Sequence, residues 1–339
     1  SDLADMLIRG GNPENMQFGN TLNDDKFSGY TFDYVISNPP FGIDWKREAK
    51  DIEAEAKQGS KGRFGVGLPN KGDGQMLFLL NGLAKLKDTG RMAIIQNGSS
   101  LFTGGAGSGP SEIRRYIIEN DWLDAIVQLP NDSFYNTGIA TYIWLITKNK
   151  PETHKGYVQL IDASNCFEIR RKPIGNKRVD ITEDCRNLIV EIYGNYADGI
   201  FTKEIGDNKK IVCKSKVSAS ESLGYNRITI ESPMLDEAGR PILKKGVPVA
   251  DPSKRDTENV PLDEDIYTFF KREVLPYRHG AWIDESKTKV GYEIPFTRIF
   301  YEYAELEPSN EIAKRIEQRE RSLIEKLHVL FGNGGEQNV

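Results

Sequence analysis

Asn38-Pro39-Pro40-Phe41 stands directly behind the apolar run Phe32-Asp33-Tyr34-Val35-Ile36-Ser37. These residue types suit one chemistry well, holding a planar exocyclic amine while it takes a methyl group. An amine such as adenine N6 delocalises its lone pair into the ring and is a poor nucleophile until acceptors hold its hydrogens. Asn38 offers a side-chain oxygen for one of them. Pro39 offers a backbone carbonyl for the other. That carbonyl is stiffly aimed, because the proline rings fix φ at residues 39 and 40 and restrict each residue before them. No strong base is required, since the extra proton can leave after transfer. Phe41 presents an apolar face on which a base swung out of a duplex could stack. The carboxyl end of a strand is also where open α/β sheets bind ligands. The plainer reading is that Asn-Pro-Pro only ends a strand, because Asn favours turns and proline cannot pair in a ladder.

The elements that would position this turn are legible as periodicities. Apolar runs at Phe32–Ser37, Met92–Gln96, Leu123–Leu129 and Thr141–Thr147 alternate with helical patterns, which predicts an α/β sheet rather than a sandwich. A helix is predicted over Gln75–Lys87, with Met76, Leu79, Leu80, Leu83 and Leu86 on one stripe, Asp73 capping its start and Gly90 beyond its end. A second, Glu112–Asn120, would bury Ile113, Tyr116 and Ile117. The short link Pro130–Gly138 makes the last two strands antiparallel neighbours.

Past Pro151 the pattern predicts a strand at Tyr157–Asp162, a helix at Thr182–Tyr193 and a hairpin-like insertion at Met234–Asn259. It also predicts a helix at Asp263–Val274, with Ile266, Phe269, Phe270 and Val274 on one side. Lys203–Lys216 holds five lysines that face either DNA or water. Ser309–Phe331 sets Ile312, Ile316, Leu323, Leu327 and Leu330 near heptad spacing, interrupted at Glu320. Such a seam needs a cover, either a partner helix or the helix's own domain.

Two loops border the turn. Asp44–Gly72 is rich in Lys, Glu and Gly; Lys57, Lys61 and Arg63 either meet phosphates there or are merely solvated. Leu101–Gly109 is glycine-rich, so its backbone can approach a ligand closely. The chain carries 45 Lys and Arg against 50 Asp and Glu, a net charge of −5. That is a poor match for a protein gripping duplex DNA alone, because non-specific affinity comes mostly from phosphate neutralisation. A partner is expected to supply part of the grip. No apolar stretch is long enough to cross a membrane. Cys166, Cys185 and Cys213, odd in number and scattered, read as structural thiols in a reducing cytoplasm, and His154, His279 and His328 as surface or packing residues; no zinc is expected.

Together these residues resemble the amino-methylating DNA methyltransferases that use S-adenosylmethionine and, within them, the modification subunit of type I restriction–modification systems. The resemblance extends beyond the Asn-Pro-Pro-Phe turn to Met6-Leu7-Ile8-Arg9-Gly10-Gly11, Gly19-Asn20-Thr21-Leu22 and Asp73-Gly74-Gln75-Met76-Leu77-Phe78. It continues at Leu101-Phe102-Thr103-Gly104-Gly105 and over Leu129–Ile139. It is closest over residues 1–150, weaker over 151–220, and recognisable again at Asp256–Tyr303.

What the resemblance implies is an α/β fold. This would be the C-terminal part of a Rossmann-like, S-adenosylmethionine-dependent methyltransferase sheet, followed by a mixed α+β region and a C-terminal helix. Residues 1–150 would be catalytic, 151–305 an extension of the modification subunit, and 306–332 a helical segment docking to a partner. The reaction implied is methylation of adenine N6 in DNA. Asn38, Pro39, Pro40 and Phe41 would be catalytic, Asn20, Thr21, Leu22 and Asn38 would touch the donor, and Phe102 with Gly104 and Gly105 would close over the base. Implied partners are duplex DNA, a specificity subunit, a restriction subunit and a second modification subunit, in the cytoplasm of a bacterium or archaeon.

One part of the family's pattern is missing. The glycine-rich turn that cradles the donor's methionine end, normally upstream of the catalytic motif, has no counterpart here. Phe64-Gly65-Val66-Gly67 has no apolar strand before it, and Gly104-Gly105-Ala106-Gly107 lies downstream in a loop. The chain is therefore expected to be the C-terminal portion of a longer subunit and inactive alone. Two rival readings stand beside this one: methylation of another planar amine or amide, in ribosomal RNA or a protein glutamine, and a non-catalytic assembly module.

Overall fold

Nine strands carry the first two thirds of the chain. The computed structural model describes residues 2–206, 209–301 and 308–331. In chain order the strands are β1 (Phe32–Ser37), β2 (Leu86–Asn97), β3 (Leu123–Gln128), β4 (Thr141–Thr147), β5 (Tyr157–Asn165), the hairpin β6 (Glu168–Ile174) and β7 (Lys177–Asp180), β8 (Gly199–Glu204) and β9 (Lys210–Ala219). All but the hairpin join one sheet in the order β1-β2-β4-β3-β5-β9-β8. Within it β1–β2 and β3–β5 are parallel and the other pairs antiparallel. The expected α/β sheet is present, with β3 and β4 antiparallel neighbours. It does not stop at residue 150: β5, β8 and β9 extend it as far as Ala219.

The helices of this region are α1 (Asp2–Ile8), α2 (Ala49–Ala56), α3 (Gln75–Ala84), α4 (Ser99–Phe102), α5 (Gly109–Glu119) and α6 (Glu183–Asn195). The helix expected over Gln75–Lys87 ends three residues early. Leu86, read as part of its stripe, instead opens β2 opposite Phe32 and is buried there. Tyr116, expected to be buried in α5, lies half out against Trp122, and the inward positions are Ile113, Arg114, Ile117 and Ile118. Asp44–Gly72 is not the solvated stretch expected. Trp45, Ile52 and Phe64 are buried, and the Trp45 indole donates to the Asn70 carbonyl at 3.0 Å.

The two faces of the sheet are covered unequally. Val35, Met92, Ile94 and Trp144 share one face by register, and α3 packs so closely on it that a Cβ on Gly82 would lie 2.5 Å from Met92 Cε. On the other face α6 covers Val127, Ile161, Ile211 and Cys213. Toward β1 that face is bare, with Tyr34 74% and Ile36 87% exposed, and β1 is also one of the sheet's two edge strands, β8 being the other. Because Ile36 buries so little, Ile36→Lys in this 339-residue chain is expected to shift stability by no more than about 0.5 kcal/mol. It should also reduce self-association, since a charge on an apolar edge strand blocks edge-to-edge pairing. Denaturation midpoints and sedimentation check both.

A second, smaller sheet follows. Strand β10 (Gly224–Glu231) pairs with β13 (Asp256–Pro261), β14 (Trp282–Ile283) and β15 (Lys289–Tyr292), after an insertion that carries the hairpin β11 (Leu243–Lys244) and β12 (Val247–Pro248). The helix expected at Asp263–Val274 is the short α7 (Ile266–Phe269) running into a wider π-type turn, Phe270–Val274. Phe270 and Val274 seal the small core with Ile228, Ile230 and Val260. A short helix α8 (Phe296–Ile299) closes this unit.

The separate unit from Phe300 contains α9 (Ser309–Phe331), on which Ile312, Ile316, Leu323 and Leu327 are exposed. Residues 306, 307 and 332 of the expected docking segment, the Leu330 and His328 side chains, and Tyr303 lie outside the described residues. No helix among the described residues is long and apolar enough to cross a membrane.

Candidate active site

The register of the parallel pair sets the geometry. Ser37 lies opposite Ile94, so Asn38-Pro39-Pro40-Phe41 leaves β1 beside the carboxyl end of β2, where Asn97-Gly98-Ser99 turns into α4. Asn38 is exposed, and its carboxamide makes no hydrogen bond to any described residue; Pro39 is buried, and no described donor reaches its carbonyl. Both acceptors that the turn was expected to present are therefore unspent. The Phe41 ring is half-buried and braced edge-on by Phe134, with centroids 6.5 Å apart. Pro40 is exposed.

Behind the turn, a polar knot ties α3 to the end of β2. The buried Gln75 donates to Asn97 Oδ1 at 2.8 Å and Ser99 Oγ at 2.6 Å, and its own oxygen accepts from the Asn97 amide at 3.0 Å. Ser99 donates in turn to Asp73 at 2.8 Å. A satisfied buried network of this kind fixes one loop geometry. It fixes the base of α4, at whose end Phe102 is 61% exposed. Phe102 is therefore not a core residue. Gly104 follows at φ +82°, a conformation suited to glycine.

The loop after Phe102 is held from beneath by Arg114, which is fully buried. Its guanidinium donates to the carbonyls of Ser100 at 3.0 Å, Thr103 at 2.9 Å and Gly104 at 3.2 Å, and to that of Tyr292 at 2.6 Å. Burial pulls its pKa down to about 10, so it stays charged at neutral pH. Ile294 adds a backbone bond to the Leu101 carbonyl at 2.8 Å, and Phe296 packs on Tyr142. The segment Tyr292-Glu293-Ile294-Pro295-Phe296 thereby stitches the smaller sheet to the loop carrying Phe102.

Other expected contacts fall differently. Arg63 is not free for a phosphate. Its five donors go to Glu55, to the Thr21 and Leu22 carbonyls and to Asn81, at distances between 2.7 and 3.1 Å. The expectation of a DNA contact there is corrected, because the guanidinium is spent inside the fold. Lys57 and Lys61 are exposed. Among the five lysines of Lys203–Lys216, Lys203, Lys210 and Lys216 pair with Asp184, Glu204 and Asp198.

Two of the residues expected to touch the methyl donor, Asn20 and Leu22, are engaged within the fold. Asn20 Oδ1 accepts from the Leu22 amide at 3.1 Å while its nitrogen donates to Glu48 at 3.0 Å, and Leu22 is buried. Gly65 and Gly67 serve loop packing, since a Cβ would lie 2.0 Å from the Gly59 carbonyl oxygen and 2.9 Å from that of Gly109. The described residues thus present an acceptor side and do not fit the methionine end of S-adenosylmethionine. The scattered cysteines do converge in space, in the core under α6. Cys166 is held well above the ordinary thiol value by its hydrogen bond with Cys213 and by burial, so it is an inert packing group.

The Arg63 cluster also sets an acid limit. Burial pushes Asp25 up, but the Lys85 hydrogen bond, the Phe27 amide and the nearby cations outweigh it and leave the group below its usual value. Glu55 is likewise raised by burial and lowered further by Arg63. Both folded values lie below the unfolded ones, so their contribution is whole above about pH 4 and is lost as pH falls through the depressed values. Melting temperature between pH 6 and 3 is therefore expected to fall more steeply for the native chain than for Arg63→Gln.

The sheet order and the Asn-Pro-Pro-Phe turn at a parallel strand's carboxyl end place the protein among α/β methyltransferases. It belongs to the N-6 DNA Methylase family, whose sequence pattern matches residues 3–227. It is 31% identical over 194 residues to the type I restriction enzyme MjaIX methylase subunit of Methanocaldococcus jannaschii, covering 57% of this chain and 33% of that protein. It is 28% identical over 194 residues to the MpnII methylase subunit of Mycoplasma pneumoniae, covering 56% and 34%. Among solved structures it is similar to the type I restriction-modification system methyltransferase subunit from Streptococcus thermophilus, with a TM-score of 0.50 and 26% identity, over 64% of this chain and 41% of that one. The matched region thus spans about a third of the length of these curated relatives.

Proposed function

We propose that this chain supplies the acceptor-holding part of a DNA methyltransferase that modifies adenine N6, as part of the modification subunit of a type I restriction–modification complex acting in the cytoplasm. The observation that carries the reading is the pair of unspent acceptors at the end of β1, Asn38 Oδ1 and the Pro39 carbonyl, beside Phe41. The two oxygens accept the amine's two hydrogens and localise its lone pair, Phe41 stacks on the extruded base, and Phe102 covers it from the neighbouring loop. The amine gives up one proton to solvent after it is methylated. Rate enhancement comes from positioning and aimed dipoles rather than from an acid–base pair.

S-adenosylmethionine would supply the methyl group. The residues described here do not form its cradle, so this chain is assigned the acceptor's side alone. The bare edge of β1 is where further strands of a complete methyltransferase sheet would add. Duplex DNA, a specificity subunit, a restriction subunit and a second modification subunit are the proposed partners. The exposed seam of α9, Ile312, Ile316, Leu323 and Leu327, is the surface offered to a helix of the specificity subunit. Labelled methyl incorporation by the complete protein, compared across adenine-containing duplex, ribosomal RNA and glutamine peptides, tests the reading. Incorporation confined to duplex supports it, and incorporation into RNA or peptide alone replaces it.

A further inference from the structure

Two cations of the smaller sheet face the glycine loop without a counter-charge. Arg227 on β10 and Lys289 on β15 are direct cross-strand partners, so their side chains share one face. Arg227 Nη1 lies 2.5 Å from where a Cβ on Gly105 would stand, and Lys289 Nζ lies 3.6 Å from the corresponding point on Gly107. Among the described residues neither cation has an ion pair or hydrogen bond, and Arg227 Nε is buried with no partner. Beside them Ser108, at the N-terminus of the eleven-residue helix α5, makes no capping bond. Its buried hydroxyl is also unpartnered and points at Gly104.

This arrangement costs stability in the free protein. Like charges directly opposite in a ladder repel, and a partly buried guanidinium with an unmet donor loses hydration without compensation. Elsewhere the chain solves the same problem, with Arg63 saturated by Glu55 and carbonyls and Arg255 and Lys287 both closed on Glu231. The exception sits on the loop that carries Phe102. An arriving anion would meet the Arg227 fork, the Lys289 ammonium and the positive end of α5 together. Gly105 and Gly107 let the two cations lie directly against this loop, because a Cβ at either position would run into them.

We infer that Arg227 and Lys289, with the loop Gly104–Ser108, form a receptor for a backbone phosphodiester of the DNA strand bearing the target base. The inference rests on the function proposed above. It gives the smaller sheet a direct share in the DNA grip, which the net charge alone assigned to other subunits. By anchoring the strand next to Phe102, the contact fixes where the extruded base enters.

The test is duplex binding by the complete protein with its partner subunits, followed by fluorescence anisotropy across a salt series. Each phosphate contact contributes about 0.9 to the slope of log affinity against log salt. Arg227→Gln and Lys289→Gln are each expected to flatten part of that slope and the double variant about 0.9 of it, the whole share of this one phosphodiester, equally for target and unrelated duplexes. Arg227→Lys should recover most of the slope, and calorimetric affinity for S-adenosylmethionine should not change. Without DNA, Arg227→Gln should melt no lower than the native protein, because it removes an uncompensated charge. An unchanged slope in the double variant, a lower melting temperature in Arg227→Gln, or a loss of donor affinity overturns the inference. Native protein that binds no duplex at any salt defeats the underlying functional reading instead.

Discussion

Replacing Asn38 with alanine in the complete protein is expected to slow single-turnover methylation of duplex DNA by about 10²- to 10³-fold, the usual cost of deleting one preorganised polar contact to a reacting group. The chain itself should fold as before. Asn38 is exposed, makes no bond to any described residue, and follows a strand whose outer positions are already bare, so nothing in the core depends on it. The amine would then be held by the Pro39 carbonyl alone, with its lone pair less localised. DNA affinity should stay near that of the native protein, because the contact matters when the nitrogen pyramidalises rather than when the duplex docks. Asn38→Asp keeps an acceptor oxygen and should lose less. Quench-flow transfer rates beside anisotropy binding curves separate these effects.

Arg114→Ala should be the most destabilising single change in the described core, costing about 3–5 kcal/mol. The loss is not mainly one of charge. Four carbonyls, those of Ser100, Thr103, Gly104 and Tyr292, lose their donor where water has poor access, and a cavity opens at the centre of α5. Arg114→Lys, with a compact ammonium in place of the planar fork, should recover less than half, because one amine cannot span carbonyls on two separate segments. The same substitution should detach the smaller sheet's Tyr292 strand from the Phe102 loop. Hydrogen exchange at Leu101–Gly104 and Tyr292–Ile294 is then expected to accelerate together. Acceleration in only one segment would mean that the guanidinium does not couple them.

The sequence was informative where a local rule governs the structure. Strands β1 and β4 were read to the residue because their apolar runs are bounded by turn formers, and the Asn-Pro-Pro-Phe turn because two consecutive prolines leave the backbone little choice. It was uninformative where the deciding partner is distant. Arg63 looked like one cation in a solvated loop, yet its bonds reach back 42 residues to Thr21, and Arg114 reaches 178 residues to Tyr292. Both are arginines spent on carbonyls or a half-buried carboxylate, which charge counting cannot distinguish from a phosphate grip. Trp45, Ile52 and Phe64 bury a lysine-rich segment without any period that could have announced it. Asn20 has a local role that the sequence did not announce, since its side chain accepts from the Leu22 amide and closes the Asn20–Leu22 turn. Arg227 is conspicuous only in three dimensions, through what it does not touch.

The central claim is that the acceptor is an exocyclic amine held between residue 38's amide oxygen and the next carbonyl. Nucleoside analysis by mass spectrometry, on duplex DNA treated with the complete protein and S-adenosylmethionine, bears on it most directly. The account requires N6-methyladenine as the product, and only background levels with Asn38→Ala. A methyl group on a ring carbon or a ring nitrogen, or the same N6 yield at the same rate from the alanine variant, would contradict it.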